Sequence, residues 1–206
     1  MPALTLKSTI QQNLDAFSMQ RIATDSSLTR AAVAVVVSRH SQHRSPCIYL
    51  TLRSDKLRKH AGQFALPGGK LDRAESIQQA ALRELEEELG IALESSSVMG
   101  LLDDFQTRSG FSITPVVVWN DSDQKLKPNP DEVARCYEIP VTELLAKDLS
   151  SNDPPSHQSL FSINPASVGA SVYSPTAAII YQFAEIALRG RHTRVNHFEQ
   201  PAFAWR

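Results

Sequence analysis

Apolar positions along the chain change their period several times, and each change marks an element. Over residues 5–17, Leu6, Ile10, Leu14 and Phe17 recur at three- or four-residue steps, the spacing of one helix face, with Ser8 a candidate N-cap. Residues 18–29 are polar and read as a connection. Arg30–Ser38 (RAAVAVVVS) is short, apolar and Val-rich, which predicts a buried strand. HSQHRSP interrupts it, and Cys47–Arg53 (CIYLTLR) predicts a second strand that completes a hairpin. Ser54–Gly69 combines a basic loop with a tight apolar turn, QFALPGG. The helical period returns over 75–89, where Ile77, Ala81, Leu85 and Leu89 share one side and Gly90 supplies a stop. Val98–Phe105, Ile113–Trp119 and Val133–Ile139 predict further strands, separated by the turn-rich TRSG and NDSDQKLKPNPDE. A short helix is expected over Val141–Lys147, begun at Pro140 or capped by Thr142. Residues 150–173 are rich in Ser, Asn and Pro and read as a loop or lid, and Thr176–Leu188 is an amphipathic helix.

With 206 residues, no internal repeat and no linker-like segment, these elements are expected to form one domain. Its parts are an N-terminal helix and connection (1–25), a core (30–145), and a loop, helix and tail (150–206). A net charge of −1 argues against a surface built to bind nucleic acid. No stretch approaches the roughly 18 apolar residues that span a bilayer, so no membrane association is expected. Two cysteines, Cys47 and Cys136, are too few for a disulfide framework and read as buried small hydrophobes. The N-terminal MPALTLKSTIQQNLDAF lacks a basic n-region and an uninterrupted apolar h-region, so a cytoplasmic setting is expected. The oligomeric state is not legible, and a homodimer is compatible with everything above.

The chemistry concentrates in Gly69–Ile91, GKLDRAESIQQAALRELEEELGI. Glu84, Glu87 and Glu88 stand at i, i+3 and i+4 and therefore share a helix face. Three carboxylates crowded there repel one another unless divalent cations sit between them, and hard oxygen ligands suit Mg²⁺ or Mn²⁺. The plainer alternative is a solvated acidic face. Against it, the opposite side is apolar and pins the acids in one direction, and Arg83 sits where it can orient Glu84.

Gly69, Glu75, Arg83, Glu84, Leu85, Glu87, Glu88, Gly90 and Ile91 resemble the Nudix box, filling each of its defined positions. The resemblance implies an α/β fold, an α/β/α sandwich around a mixed β-sheet. It also implies a divalent metal, Mg²⁺ or Mn²⁺, and a nucleoside diphosphate derivative as small-molecule substrate. By the same resemblance Glu84, Glu87 and Glu88 are the expected metal ligands, with Arg83, Glu84 and Glu87 the expected catalytic set. Glu75 and Arg83 would hold the motif's shape, and the Gly68 carbonyl could assist the metal.

Upstream, the segment 53–60 carries four Lys or Arg against one Asp, a local excess suited to phosphate. Leu50, Thr51, Arg53, Ser54, Arg58, Gly62, Pro67, Gly68 and Gly69 resemble the motif of the coenzyme A pyrophosphatase branch, with Tyr49 and Leu66 departing apolar for apolar. The expected substrate contacts are thus Arg53, Arg58, Gly62, Gly68 and Gly69. The reaction implied is hydrolysis of coenzyme A or acyl-coenzyme A to 3′,5′-adenosine bisphosphate and 4′-phosphopantetheine. ADP-ribose or another nucleoside diphosphate is the alternative substrate, and a non-catalytic nucleotide sensor the alternative role. The general base is not assigned: it is Glu84 or Glu87 when only loosely metal-bound, or an acid outside the box, for which Asp103, Asp104, Asp131 and Glu132 are candidates that read more simply as turn or surface residues. Phe64 reads as core rather than as a face for adenine, and Arg191, His192, Arg194 and His197 as a solvated tail.

Overall fold

The computed structural model describes residues 3–22, 27–146, 149–150 and 160–202. Four α-helices, α1 (Ala3–Asp15), α2 (Ile77–Leu89), α3 (Val141–Leu144) and α4 (Thr176–Phe183), surround a mixed sheet. The sheet contains β1 (Thr29–Arg39), β2 (Pro46–Arg53), β3 (Phe64–Ala65), β4 (Gly68–Lys70), β5 (Val98–Leu101), β6 (Phe105–Gln106), β7 (Phe111–Trp119) and β8 (Val133–Pro140). A separate two-stranded pair is formed by β9 (Ser162–Ile163) and β10 (Val172–Tyr173).

β1 lies at the centre because it is apolar on both faces. It runs parallel to β7, from Thr29↔Phe111 to Val37↔Trp119, and antiparallel to β2, with Val37 opposite Ile48. Since successive side chains point to opposite faces, Val35 and Val37 enter one core with Leu6, Ile10 and Leu14 of α1 and Ile179, Ile180 and Phe183 of α4. Ala32, Ala34 and Val36 enter the other, with Ala81, Leu85 and Leu89 of α2. β7 divides likewise, Val117 and Trp119 to the first core and Val116 and Val118 to the second. Helices on both faces of such a strand are what a continuous apolar run requires, and burying each Val contributes about 1.5–3 kcal/mol. The result is the expected α/β/α sandwich.

Several local expectations change. α1 begins by Ala3, so Ser8 lies inside the helix and is not its N-cap. The single strand expected over Val98–Phe105 is two strands, because Asp103 and Asp104 turn inward between them. The 150–173 segment contains the β9–β10 pair, while 151–159 lie outside the described residues. α3 is a single turn, and Lys147 lies outside the described residues. The last helix leaves α geometry after Phe183 and finishes as a π-helical turn over Ala184–Leu188. Cys47 is buried and Cys136 half-buried, and burial pushes both thiols up to about 12. Among the described residues no helix is long and apolar enough to cross a membrane.

Candidate active site

The acidic helix is fixed at both ends. Ser76 accepts from the Gln79 N–H while the Gln79 side chain accepts from the Ser76 N–H, a reciprocal capping box. At the other end Gly90 takes φ 68°, and its N–H reaches the Glu86 carbonyl. A side chain at Gly90 would also strike Lys127, whose backbone crosses here. The last carbonyls of a helix have no partners within it. Here Asn129 N–H donates to the Glu88 carbonyl at 2.9 Å and Lys127 N–H to that of Leu89 at 2.8 Å. That docking brings the 129–132 turn, and with it Glu132, beside α2.

Glu84, Glu88 and Glu132 each present a carboxylate oxygen within 4.8 Å of the others, the sole such group of three acids, histidines or cysteines among the described residues. Glu88 is 3% exposed. It stands three residues after Leu85 and seven after Ala81, so it occupies the packed stripe of α2 rather than its wet side. The Gly68 N–H lies 3.5 Å from its Oε1. Burial, reinforced by Glu84 and Glu132 and opposed by Arg53, pushes Glu88 up to about 8. Burial also raises Glu84, opposed by Arg83.

Arg83 forks onto Glu75, Nε to Oε1 at 2.9 Å and Nη2 to Oε2 at 3.1 Å. Its Nη1 donates to Glu84 at 2.8 Å and to Glu87 at 2.9 Å, and Nη2 reaches the Lys70 carbonyl at 3.1 Å. The guanidinium is thereby held protonated, and its hydrogen bonds pull Glu75 below the usual carboxylate range. Glu87 thus faces Arg83, half-exposed, outside the group formed by Glu84, Glu88 and Glu132.

On the α4 side of the sheet lies a cavity of about 460 Å³. Val33, Phe64, Phe111, Ile113 and Ile179 supply apolar walls, and Arg53, His60, Lys70 and Tyr173 supply its cationic and titratable groups. No Asp or Glu lines it among the described residues. Gly68 and Gly69 separate the cavity from the carboxylates, and a side chain at either would displace a neighbour. A Cβ on Gly68 would sit 2.4 Å from the Ala32 carbonyl oxygen, and one on Gly69 2.2 Å from Oε1 of Glu84.

The residues expected from sequence therefore divide. Arg53, Gly62, Gly68 and Gly69 line the cavity; Arg58 does not. Arg53 is only partly exposed, with its Nε buried and unpartnered. Phe64 is half-buried and packs against the core while also lining the cavity. Of the four outlying acids, Glu132 joins the carboxylate group and Asp131 is exposed on Lys56. Asp103 and Asp104, expected at a turn or surface, are buried. Asp103 accepts from Arg194 at 2.6 Å and from Gln182 at 2.7 Å, so Arg194 is no free tail residue either. Asp104 accepts from Thr114 and from the Ile22 N–H. The phase of Glu88 on α2 was readable from the apolar stripe. The arrival of Glu132, 44 positions further on, has no local signal.

The sandwich, the glycine pair and the carboxylate-bearing helix define a Nudix-type domain. A match to the NUDIX domain spans residues 28–160, and the chain belongs to that family. An uncharacterized Nudix hydrolase NudL of Pectobacterium atrosepticum is 46% identical over 105 residues, 50% of this chain and 55% of that protein. One from Citrobacter koseri is 43% identical over 117 residues, 56% of this chain and 59% of the relative. The chain thus spans little more than half the length of these curated relatives. The crystal structure of a MutT/nudix family protein from Enterococcus faecalis superposes with a TM-score of 0.54 at 16% identity, covering 89% of this chain and 73% of that one. That likeness concerns the fold alone.

Proposed function

We propose that this protein hydrolyses a phosphoanhydride bond in a nucleoside diphosphate derivative, with coenzyme A or acyl-coenzyme A as substrate. The observation that carries the reading is a cationic, apolar cavity meeting three crowded carboxylates across Gly68 and Gly69. A diphosphate with an organic group on each side needs both. The branch-specific choice of coenzyme A rests on the stretch that supplies Arg53, Gly62, Gly68 and Gly69 to the cavity.

The carboxylate group fits a divalent ion by its donors. Glu84, Glu88 and Glu132 offer hard oxygens in mutual reach, and at Glu88 Arg53 and the distant Gly68 N–H oppose burial and the repulsion of the other two. Mg²⁺ or Mn²⁺ held there would neutralise phosphoryl oxygens and lower the pKa of a bound water. The chain's residues do the rest. Arg83 fixes the Glu84 carboxylate and ties α2 to Glu75 and to the Lys70 carbonyl. Gly69 leaves the Glu84 carboxylate unobstructed, and Gly68 lets its strand lie close against β1. Arg53 and Lys70 counter the substrate's negative charge from the cavity side, and positioning with electrostatic stabilisation is most of what phosphoryl transfer asks of a protein.

A substrate panel with Mg²⁺ or Mn²⁺ tests the reading: coenzyme A, acyl-coenzyme A, ADP-ribose, NADH, diadenosine polyphosphates and nucleoside triphosphates. Coenzyme A or its thioesters should have the highest kcat/KM. ADP-ribose turned over far faster would transfer the assignment to that substrate. Nucleotide binding without turnover of any compound would favour a sensor.

A further inference from the structure

The basic loop 54–62 contains a backbone departure that its charge does not require. His60 has φ +56°, in the left-handed region that carries a steric penalty for L-residues, though histidine, like asparagine and aspartate, enters it several-fold more often than most. Two residues later Gly62, at φ +67°, meets the same demand without that penalty. The loop is closed at its base, where Arg53 N–H donates to the Gln63 carbonyl and Gly62 N–H to that of Arg53. Glycine at position 60 would satisfy the turn; histidine brings a ring into the wall of the cavity. That ring is oriented, since its Nδ1 lies 3.2 Å from Gln63 Oε1. Oε1 only accepts, so Nδ1 carries a proton, and Nε2 donates to a ligand when the ring holds a second proton, the form that a bound anion favours. Arg44 and Ala74 also have positive φ, but of these three non-glycine residues only His60 lines the cavity.

We propose that His60 is a substrate-binding residue which, as the imidazolium, donates its Nε2–H to a phosphate oxygen of the ligand. It shares the cavity with Arg53 and Lys70, so an anion placed there meets three basic side chains and, among the described residues, no carboxylate. The inference rests on the phosphoanhydride reading above and adds the group that grips the anion from the loop side. Two phosphates of coenzyme A carry the same chemistry, the diphosphate bridge and the 3′-phosphate.

The test compares wild type with His60→Gly and His60→Asn. Glycine removes ring and backbone strain together, while asparagine tolerates the left-handed region and lacks the imidazole. Measured quantities are KM and kcat for coenzyme A and for dephospho-coenzyme A, calorimetric affinity for ADP in EDTA, and melting temperature. Losing one charge-assisted hydrogen bond should raise KM about tenfold or more in both variants, with a smaller effect on kcat and an equal or higher melting temperature for His60→Gly. A rise for both substrates places the contact on the diphosphate; a rise for coenzyme A alone places it on the 3′-phosphate. Unchanged KM and ADP affinity in both variants would overturn the proposal, and so would a KM increase that tracks a fall in melting temperature. A wild type that hydrolyses nothing, yet loses ADP affinity on His60→Gly, would refute the hydrolase reading and support His60. A wild type with neither turnover nor ADP binding would refute both.

Discussion

Glu88→Gln should make the metal-free protein more stable and inactive at once. The substitution is nearly isosteric, and the Gly68 N–H can face the amide oxygen as it faces the carboxylate. What changes is charge. In the folded chain Glu88 is pushed from 4.5 up to about 8, first by burial and then by Glu84 and Glu132. The folded state therefore holds its proton more tightly than the unfolded state does, so this contribution to stability is fully present below 4.5 and is lost as pH rises toward 8. From the two end values the loss amounts to about 2 kcal/mol at pH 6 and about 4 kcal/mol at pH 8. Glutamine has no proton to lose. In EDTA the two proteins should melt together near pH 4.5, and the variant should melt about 8–16 °C higher at pH 8, taking about 2–4 °C per kcal/mol for a chain of this size. Melting curves at half-unit steps of pH, with and without Mn²⁺, measure this directly. Mn²⁺ should raise the melting temperature of wild type most at alkaline pH, where the carboxylate is ionised, and should raise that of the variant far less. Hydrolysis by the variant should fall by orders of magnitude. A melting difference independent of pH, or a variant less stable at pH 8, would refute the account of a buried, repelled carboxylate. Wild-type activity in the variant would show that the reaction does not use this group.

Gly69→Ala should reduce kcat/KM by about 100-fold or more, because the new methyl overlaps Oε1 of Glu84 and displaces it; steady-state kinetics within a few-fold of wild type would contradict that close approach. Ser76→Ala removes half of the capping box and should cost about 1 kcal/mol in urea unfolding, with a small effect on KM because Ser76 lies outside the cavity. Asp103→Ala leaves Arg194, Gln182 and the Gln20 N–H without their buried acceptor and should destabilise by about 3–5 kcal/mol. A loss below about 1 kcal/mol in urea unfolding would mean that this network is replaced by solvent.

The parts of the molecule that could be read in advance are those whose cause lies within a turn or two of chain. The continuous apolar run of β1 announces a strand apolar on both faces, and the helical period and Gly90 mark the ends of α2 within two residues. The strand expected from Val98 to Phe105 fails for a reason of another kind. Asp103 is satisfied by Arg194 and Gln182, and Asp104 by Thr114 and a backbone N–H at Ile22; two acids that look like a turn are acceptors for side chains and backbone from distant elements. The carboxylate group shows both cases together. Spacing alone places Glu84, Glu87 and Glu88 on one broad face, yet the apolar stripe through Ala81 and Leu85 continues through Glu88, so burial of that residue was implicit in the same periodicity. Glu87 lies farther around the helix, within reach of Arg83, and the guanidinium takes it. Glu132 has no such cue. It reaches the site because the Glu88 and Leu89 carbonyls at the end of α2 need donors, and Asn129 and Lys127 supply them. Completion of the acidic group is thus a consequence of helix termination. Substituting Asn129 with proline, which has no N–H to give the Glu88 carbonyl, should therefore weaken Mn²⁺ binding even though residue 129 contributes no ligand, and unchanged affinity in a calorimetric titration would show that Glu132 reaches its place by other means.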